Sequence, residues 1–93
     1  MITYKPGEFA FSKSGHDKDN LYIIIKEEGE YVYLSDGKYK TADNPKKKNK
    51  KHVQTVHYED ECISEKIKNG VPLNDVEIGT AIRKALKQFR TVD

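Results

Sequence analysis

The 93-residue chain contains no tryptophan and only one cysteine, Cys62. A single cysteine excludes an internal disulfide and fits the reducing conditions of the cytosol. Long apolar runs are also missing: the longest covers only residues 21–25, whereas a membrane-spanning helix needs about 20 residues. The first residues lack a basic flank followed by an apolar segment, so we expect no secretory signal. These absences predict a cytoplasmic protein without a membrane partner.

The sequence also lacks the motifs of common enzyme classes. Gly15 is not followed by the Gly-Lys-Ser/Thr ending of a phosphate-binding loop, and no Gly-x-Ser-x-Gly nucleophile elbow occurs. No basic pattern near Cys62 marks it as a nucleophile, and we expect it to be a partly buried residue of a helix. We therefore expect no enzymatic activity, no cofactor and no bound metal.

Positive charge, in contrast, is concentrated in one segment. Lysines occupy five of the six positions 46–51, and a histidine follows them: Lys46, Lys47, Lys48, Lys50, Lys51 and His52. Residues 38–58 contain seven lysines and one aspartate, although the net charge of the whole chain is only +2. A localised cationic patch indicates a polyanionic partner, most often nucleic acid. The alternative is a solvated loop that only aids solubility.

The apolar pattern predicts five short strands followed by helices. We expect strands at residues 8–12, 21–26, 31–35, 38–41 and 52–56, with polar loops at 13–20 and 43–51. Asp36-Gly37 indicates a two-residue hairpin turn. Strands two and three are apolar on both faces, so both faces must be covered. Closure into a small barrel covers one face, and helices outside the barrel cover the other.

The last third of the chain carries helix signals. Asn74 is placed to cap a helix, and Glu77 completes a capping box. A shorter helix over 60–68 is expected to end at Asn69-Gly70. The fold class is therefore mainly β with C-terminal α. We expect one domain over 1–93, with a barrel of about five strands over about 5–56 and a helical extension over about 59–92.

The stretch Ser12-Lys13-Ser14-Gly15-His16-Asp17-Lys18 resembles the KOW motif. KOW motifs occur in SH3-like barrels of ribosomal proteins and transcription factors, in a loop between the first two strands. The next residue is Asp19, where the motif has glycine. Residues 44–53, which contain the lysines, resemble the basic segment that precedes the last strand of those barrels. The likeness is closest to bacterial KOW-domain proteins that are similar to large-subunit ribosomal proteins.

The resemblance implies a monomeric, non-enzymatic protein that binds RNA, in particular ribosomal RNA, with ribosomal proteins as further partners. Backbone approach at a glycine and contacts from lysines would hold the phosphates. The residues expected to bind RNA lie in two segments: Lys13, Ser14, Gly15, His16 and Lys18 in the first, and Lys46, Lys47, Lys48, Lys50, Lys51 and His52 in the second. The two segments must then be neighbours in space.

Other functions remain open from the sequence. Exposure of Ile78, Ile82 and Phe89 would favour a protein-interaction module that acts in transcription or ribosome assembly. Two of the three histidines, His16, His52 and His57, together with a lysine, would suit a ribonuclease. His52, His57 and Cys62 are possible zinc ligands, but structural zinc sites usually pair two cysteines, and this chain has one. Four aromatic residues are candidates for base stacking: Tyr4, Phe11, Tyr39 and Tyr58.

Overall fold

Five antiparallel strands and two helices make up the computed structural model, which describes residues 3–13 and 20–90. The strands are β1 (Glu8–Ser12), β2 (Leu21–Glu28), β3 (Tyr31–Ser35), β4 (Lys46–Asn49) and β5 (Val53–Glu59). One turn of 3₁₀ helix, Lys50–His52, joins β4 to β5. The helices are α1 (Glu61–Lys68) and α2 (Asp75–Arg90). The predicted class, mainly β with C-terminal α, is confirmed.

The strands form one sheet in the order β4-β3-β2-β1-β5. β1 to β4 follow each other as antiparallel neighbours, and β5 returns to pair with β1. The edge strands β4 and β5 do not pair with each other in the part of the chain that the structure describes. The expected barrel is therefore not closed. The short chain between β4 and β5 turns through a 3₁₀ helix instead of extending the ladder.

Two apolar clusters lie on the two faces of the sheet, and together they bury both faces of β2, as expected for a strand that is apolar on both sides. The inner cluster contains only strand residues: Ala10, Tyr22, Ile24, Val32, Leu34 and Val53. The outer cluster joins β1 and β2 to the helices through Phe9, Leu21, Ile23, Ile63, Ile78, Ala81, Ile82 and Ala85. The helices are therefore part of the core on the outer side.

The fourth strand lies later in the chain than expected. Residues 38–41 form no strand, because the Asp36 carboxylate accepts hydrogen bonds from three successive backbone amides, those of Lys38, Tyr39 and Lys40, at 2.9 Å each. Amides that point at one carboxylate cannot also form a ladder. The prediction of a two-residue hairpin turn at Asp36-Gly37 is therefore wrong. The segment expected to be a loop, 43–51, contains β4 instead.

The predicted helices and the predicted capping box are confirmed. The Glu77 amide donates to the Asn74 side chain at 2.8 Å, and the Asn74 amide donates to the Glu77 carboxylate at 3.1 Å. Asp60 caps α1 by accepting from the Ile63 amide at 3.2 Å. Within residues 3–13 and 20–90, neither helix is long and apolar enough to cross a membrane.

Candidate nucleic-acid interface

The end of β1 lies beside the end of residues 46–52, which we call the lysine segment. The backbone amide of Lys13 donates to the carbonyl of His52 at 2.8 Å, and the Ser12 amide donates to the carbonyl of Asn20 at 3.3 Å. The first residue of the first predicted RNA-binding segment, Lys13, is thus fixed next to the second segment, and Asn20 is held beside the end of β1. The residues between them, including Ser14, Gly15, His16 and Lys18, lie outside the described residues. Lys13 is exposed.

The lysine segment does not form a single patch, because strand geometry sends alternate side chains to opposite faces. Lys47 lies opposite Tyr33 on β3, whereas Lys46 and Lys48 lie opposite Leu34 and Val32. Since Val32 and Leu34 belong to the inner cluster, Lys46 and Lys48 face the inner side. The sequence analysis did not predict that Lys47 and its two neighbours face opposite sides, because it predicted a loop over 43–51.

The two inner lysines take part in the fold. Nζ of Lys48 donates to the hydroxyl of Ser12 at 2.7 Å, and Ser12 is only 1 % exposed. Partial burial, and then the nearby charge of Lys48, lower the pKa of Lys46. A lowered pKa means that the protein environment disfavours the charged ammonium. The Lys48 ammonium thus links β4 to the end of β1, whereas Lys46 holds its charge in a less favourable environment.

The 3₁₀ turn divides the remaining basic residues. Lys50 is engaged: its ammonium pairs with Glu27 and lies 5.2 Å from the centre of the Tyr4 ring. Its carbonyl accepts from the Tyr4 hydroxyl at 3.2 Å. Lys51 and His52 are exposed. We call Lys13, Lys51 and His52 the basic edge, since the first joins the last through the backbone hydrogen bond.

A second surface lies on the outer side of β2, β3 and β4, and the sequence analysis missed it. Strand register places Lys26, Tyr33 and Lys47 in one row across the sheet, and Glu28, Tyr31 and Asn49 in the next. The Lys47 ammonium lies 4.4 Å from the centre of the Tyr31 ring, and the Lys26 ammonium lies 5.7 Å from that of Tyr33. We call Lys26, Tyr31, Tyr33 and Lys47 the tyrosine face.

The helices leave the tyrosine face uncovered. Among the described residues, the outer cluster includes side chains from β1, β2 and β5 but none from β3 or β4. Tyr31 is 39 % exposed and Tyr33 is half-buried. The expectation that both faces of β3 are buried is therefore wrong for its outer face. The alternation of tyrosine with lysine on paired strands would have been a signal, had β4 been recognised.

The four aromatic residues expected to stack on bases have mixed surroundings. Tyr58 packs on Phe9 with ring centres 5.5 Å apart, and its hydroxyl donates to Gln88. Phe11 packs on the outer cluster, and Tyr4 packs on the inner one. Tyr39 is 76 % exposed, with the Lys38 ammonium 5.0 Å from its ring centre. Of these four, only Tyr39 has a largely open ring.

Acidic residues border the basic groups. Glu28 accepts from the Tyr33 hydroxyl at 3.4 Å and pairs with Lys26 at 3.3 Å.

A buried acidic residue lies on β1, where Glu8 is 8 % exposed and its Oε1 has no hydrogen-bond partner. Its Oε2 lies 3.8 Å from Nδ1 of His57. His57 has a left-handed φ of 57°, where β5 bulges away from β1.

His52, His57 and Cys62 lie in three different surroundings. His52 lies at the basic edge, and His57 is beside Glu8. Cys62 lies on α1 as expected, but it is exposed rather than partly buried. Across the part of the chain that the structure describes, no group of three or more His, Cys, Asp or Glu residues is arranged to hold a metal ion.

Comparison with known proteins yields no assignment. The chain matches no protein-family model, and no curated protein matches it significantly. The resemblance to KOW proteins rests on the residues quoted for it alone.

Proposed function

We propose that this protein is a non-enzymatic RNA-binding protein of KOW type that contacts phosphates through residues 13–18 and the lysine segment. Ribosomal RNA in the cytoplasm is the proposed target, and ribosomal proteins are further proposed neighbours. The protein acts as a monomer in this proposal.

The observation that supports this proposal is the hydrogen bond from the Lys13 amide to the His52 carbonyl, at 2.8 Å. It joins the end of β1 to the last residue of the lysine segment. Exposed lysines that lie side by side suit a phosphate backbone, which carries closely spaced negative charges. Within the described part of the two predicted RNA-binding segments, three lysines are exposed and available for such contacts: Lys13, Lys47 and Lys51.

The charge reversal Lys13→Glu/Lys51→Glu tests the proposal. Each phosphate contact changes the slope of log affinity against log salt by about −0.7 to −0.9, so the three exposed lysines contribute about −2 to −3. Loss of two of these contacts should make the slope less negative by about 1.4–1.8 and weaken binding at low salt. Fluorescence anisotropy with a labelled RNA hairpin, titrated at several salt concentrations, measures both quantities.

The matched control is Lys84→Glu/Lys87→Glu, which makes the same charge change at exposed positions of α2. Its affinity should fall far less than that of Lys13→Glu/Lys51→Glu. Equal losses in both variants would mean that RNA responds only to net charge, and the proposed site would be wrong. Lys48 is unsuitable for this test because its ammonium is bonded to the buried Ser12.

A protein-interaction role through α2 has less support. It called for exposed apolar residues on α2, whereas Ile78 is 0 % and Ile82 is 8 % exposed in the outer cluster. The side chain of Phe89 lies outside the described residues. The ribonuclease alternative is tested by incubating the protein with the same hairpin for hours, where intact RNA would argue against it.

A further inference from the structure

We infer that the tyrosine face is a stacking platform for unpaired bases, so that the RNA bound by this protein is single-stranded where it crosses β3. This inference rests on the proposed function and names the class of RNA. The exposed ring of Tyr31, the half-buried ring of Tyr33 and the two lysines that flank them carry it.

The chemistry of the face suits a nucleotide better than a protein side chain. A base is a flat π system that stacks on an aromatic ring, and its phosphate needs a cation close to the ring. The ammonium groups of Lys47 and Lys26 already lie 4.4 Å and 5.7 Å from the ring centres of Tyr31 and Tyr33. When a base covers the ring, each ammonium needs to move only to the ring edge to meet a phosphate.

The spacing of the two rings selects an unpaired strand. Tyr31 and Tyr33 are two residues apart on one strand, which separates them by about 6.6 Å along β3. Successive bases within one strand of a duplex are about 3.4 Å apart. Two neighbouring bases therefore reach both rings only when the strand is stretched, and a base-paired duplex does not permit that. The bases of a duplex are also stacked on each other and do not expose their faces.

The charges around the face give the strand a direction to continue. Asn49 ends β4 in the same row as Tyr31, and the exposed Lys51 follows two residues later. Glu28 lies at the opposite end of that row, paired with Lys26. A polyanion is thus attracted toward the β4 side and repelled from the β2–β3 turn, where Glu27, Glu28 and Glu30 are exposed. The strand is expected to leave the face toward the basic edge.

The experiment compares an oligouridine of about 12 nucleotides with an RNA duplex of equal length, since that length fits the site sizes of small stacking proteins. Tyr31→Leu and Tyr33→Leu should each weaken binding of the oligouridine by about 5- to 150-fold, because a stacked base contributes about 1–3 kcal/mol. Duplex affinity should change by less than about twofold. Tyr31→Phe, which keeps the ring, should bind as the unchanged protein does.

Val76→Ala is the control, because Val76 is more exposed than Tyr31 but lies on α2. It should leave both affinities unchanged. If Tyr31→Leu and Tyr33→Leu bind oligouridine normally while Lys13→Glu/Lys51→Glu does not, the stacking inference is wrong and the proposed function stands. If the unchanged protein binds neither RNA, the proposed function fails and the inference fails with it.

A second measurement covers the case in which a leucine variant does not fold. The chain has six tyrosines and no tryptophan, so its emission comes from tyrosine. Stacking of bases on the rings of Tyr31 and Tyr33 should quench part of this emission when oligouridine is added. Binding without quenching in the unchanged protein would overturn the inference.

Discussion

At the scale of single residues, Gly37 fixes the connection after β3 against α2. It has a left-handed φ of 73°, and a methyl group added there would lie 2.9 Å from the Gly79 amide nitrogen and 3.2 Å from Cβ of Ile78. The first of these is closer than real side chains approach. Glycine is therefore needed at this position for two reasons, its backbone angle and the space left by α2.

Gly37→Ala should destabilise the protein by more than the left-handed backbone alone explains. Gly29→Ala is the matched control, because Gly29 has a φ of 58° but open space around it. The control should lose about 1 kcal/mol from backbone strain, and Gly37→Ala should lose about 2–4 kcal/mol once the clash is added. Urea unfolding followed by circular dichroism measures both. Equal losses would show that the connection moves away from α2 at no cost.

At the scale of elements, Glu77 ties the start of α2 to α1. Its carboxylate accepts from the Asn74 amide and pairs with Lys66 of α1. The hydrogen bond from Lys66 is the largest effect on Glu77 and, aided by the Asn74 amide, lowers its pKa below the ordinary 4.5. A lowered carboxyl pKa stabilises the fold above the unfolded pKa, and this contribution is lost as the pH falls through the folded pKa.

Glu77→Gln should therefore unfold at a lower urea concentration than the unchanged protein at neutral pH. Because protonation removes the same charge, the difference should shrink as the pH falls below 4.5. Glu65→Gln, at an exposed position of α1, is the control and should show a smaller difference at neutral pH. A gap between Glu77→Gln and the unchanged protein that is constant with pH would contradict the role of the charge. Asn74→Ala, which removes the cap itself, should cost about 1 kcal/mol at any of these pH values.

The elements that could be predicted from the sequence are those whose signals are local. The capping box of Asn74 and Glu77 needs only four neighbouring residues, so α2 was predicted to start where it does. β4 carries no such signal, because three of its four residues are lysine. It forms a strand because β3 lacks a partner on that side and because edge strands tolerate lysine. That pairing joins residues far apart in the chain, and for the same reason the tyrosine face was missed.

At the scale of the whole molecule, the helices and the sheet share one core. Phe9, Leu21 and Ile23 on the sheet are 0 %, 5 % and 0 % exposed because α1 and α2 cover them. Burial of a large apolar side chain contributes about 1.5–3 kcal/mol, so these three account for about 5–9 kcal/mol. The whole stability of a small domain is about 5–15 kcal/mol. The sheet without its helices therefore lacks enough stability to fold.

A fragment that ends at Glu59 should thus have no cooperative unfolding transition and no near-ultraviolet circular dichroism from packed tyrosines. The complete chain, studied under the same conditions, is the reference and should show both. If the fragment unfolds cooperatively, the sheet is independently stable and the helices are only an extension of it. That result would match the sequence-based division into a barrel over 5–56 and a helical extension over 59–92.

The lysines of β4 have a consequence for how one molecule meets another. β4 is an edge of the sheet, and an edge strand offers backbone groups to which a strand of another molecule can pair. If two copies met edge to edge, lysine would face lysine along the new ladder, and like charges opposite each other are destabilising. The lysines of β4 therefore oppose pairing of two molecules through this edge. This protection acts whether or not a polyanion is bound elsewhere, as long as the ammonium groups of β4 keep their charge.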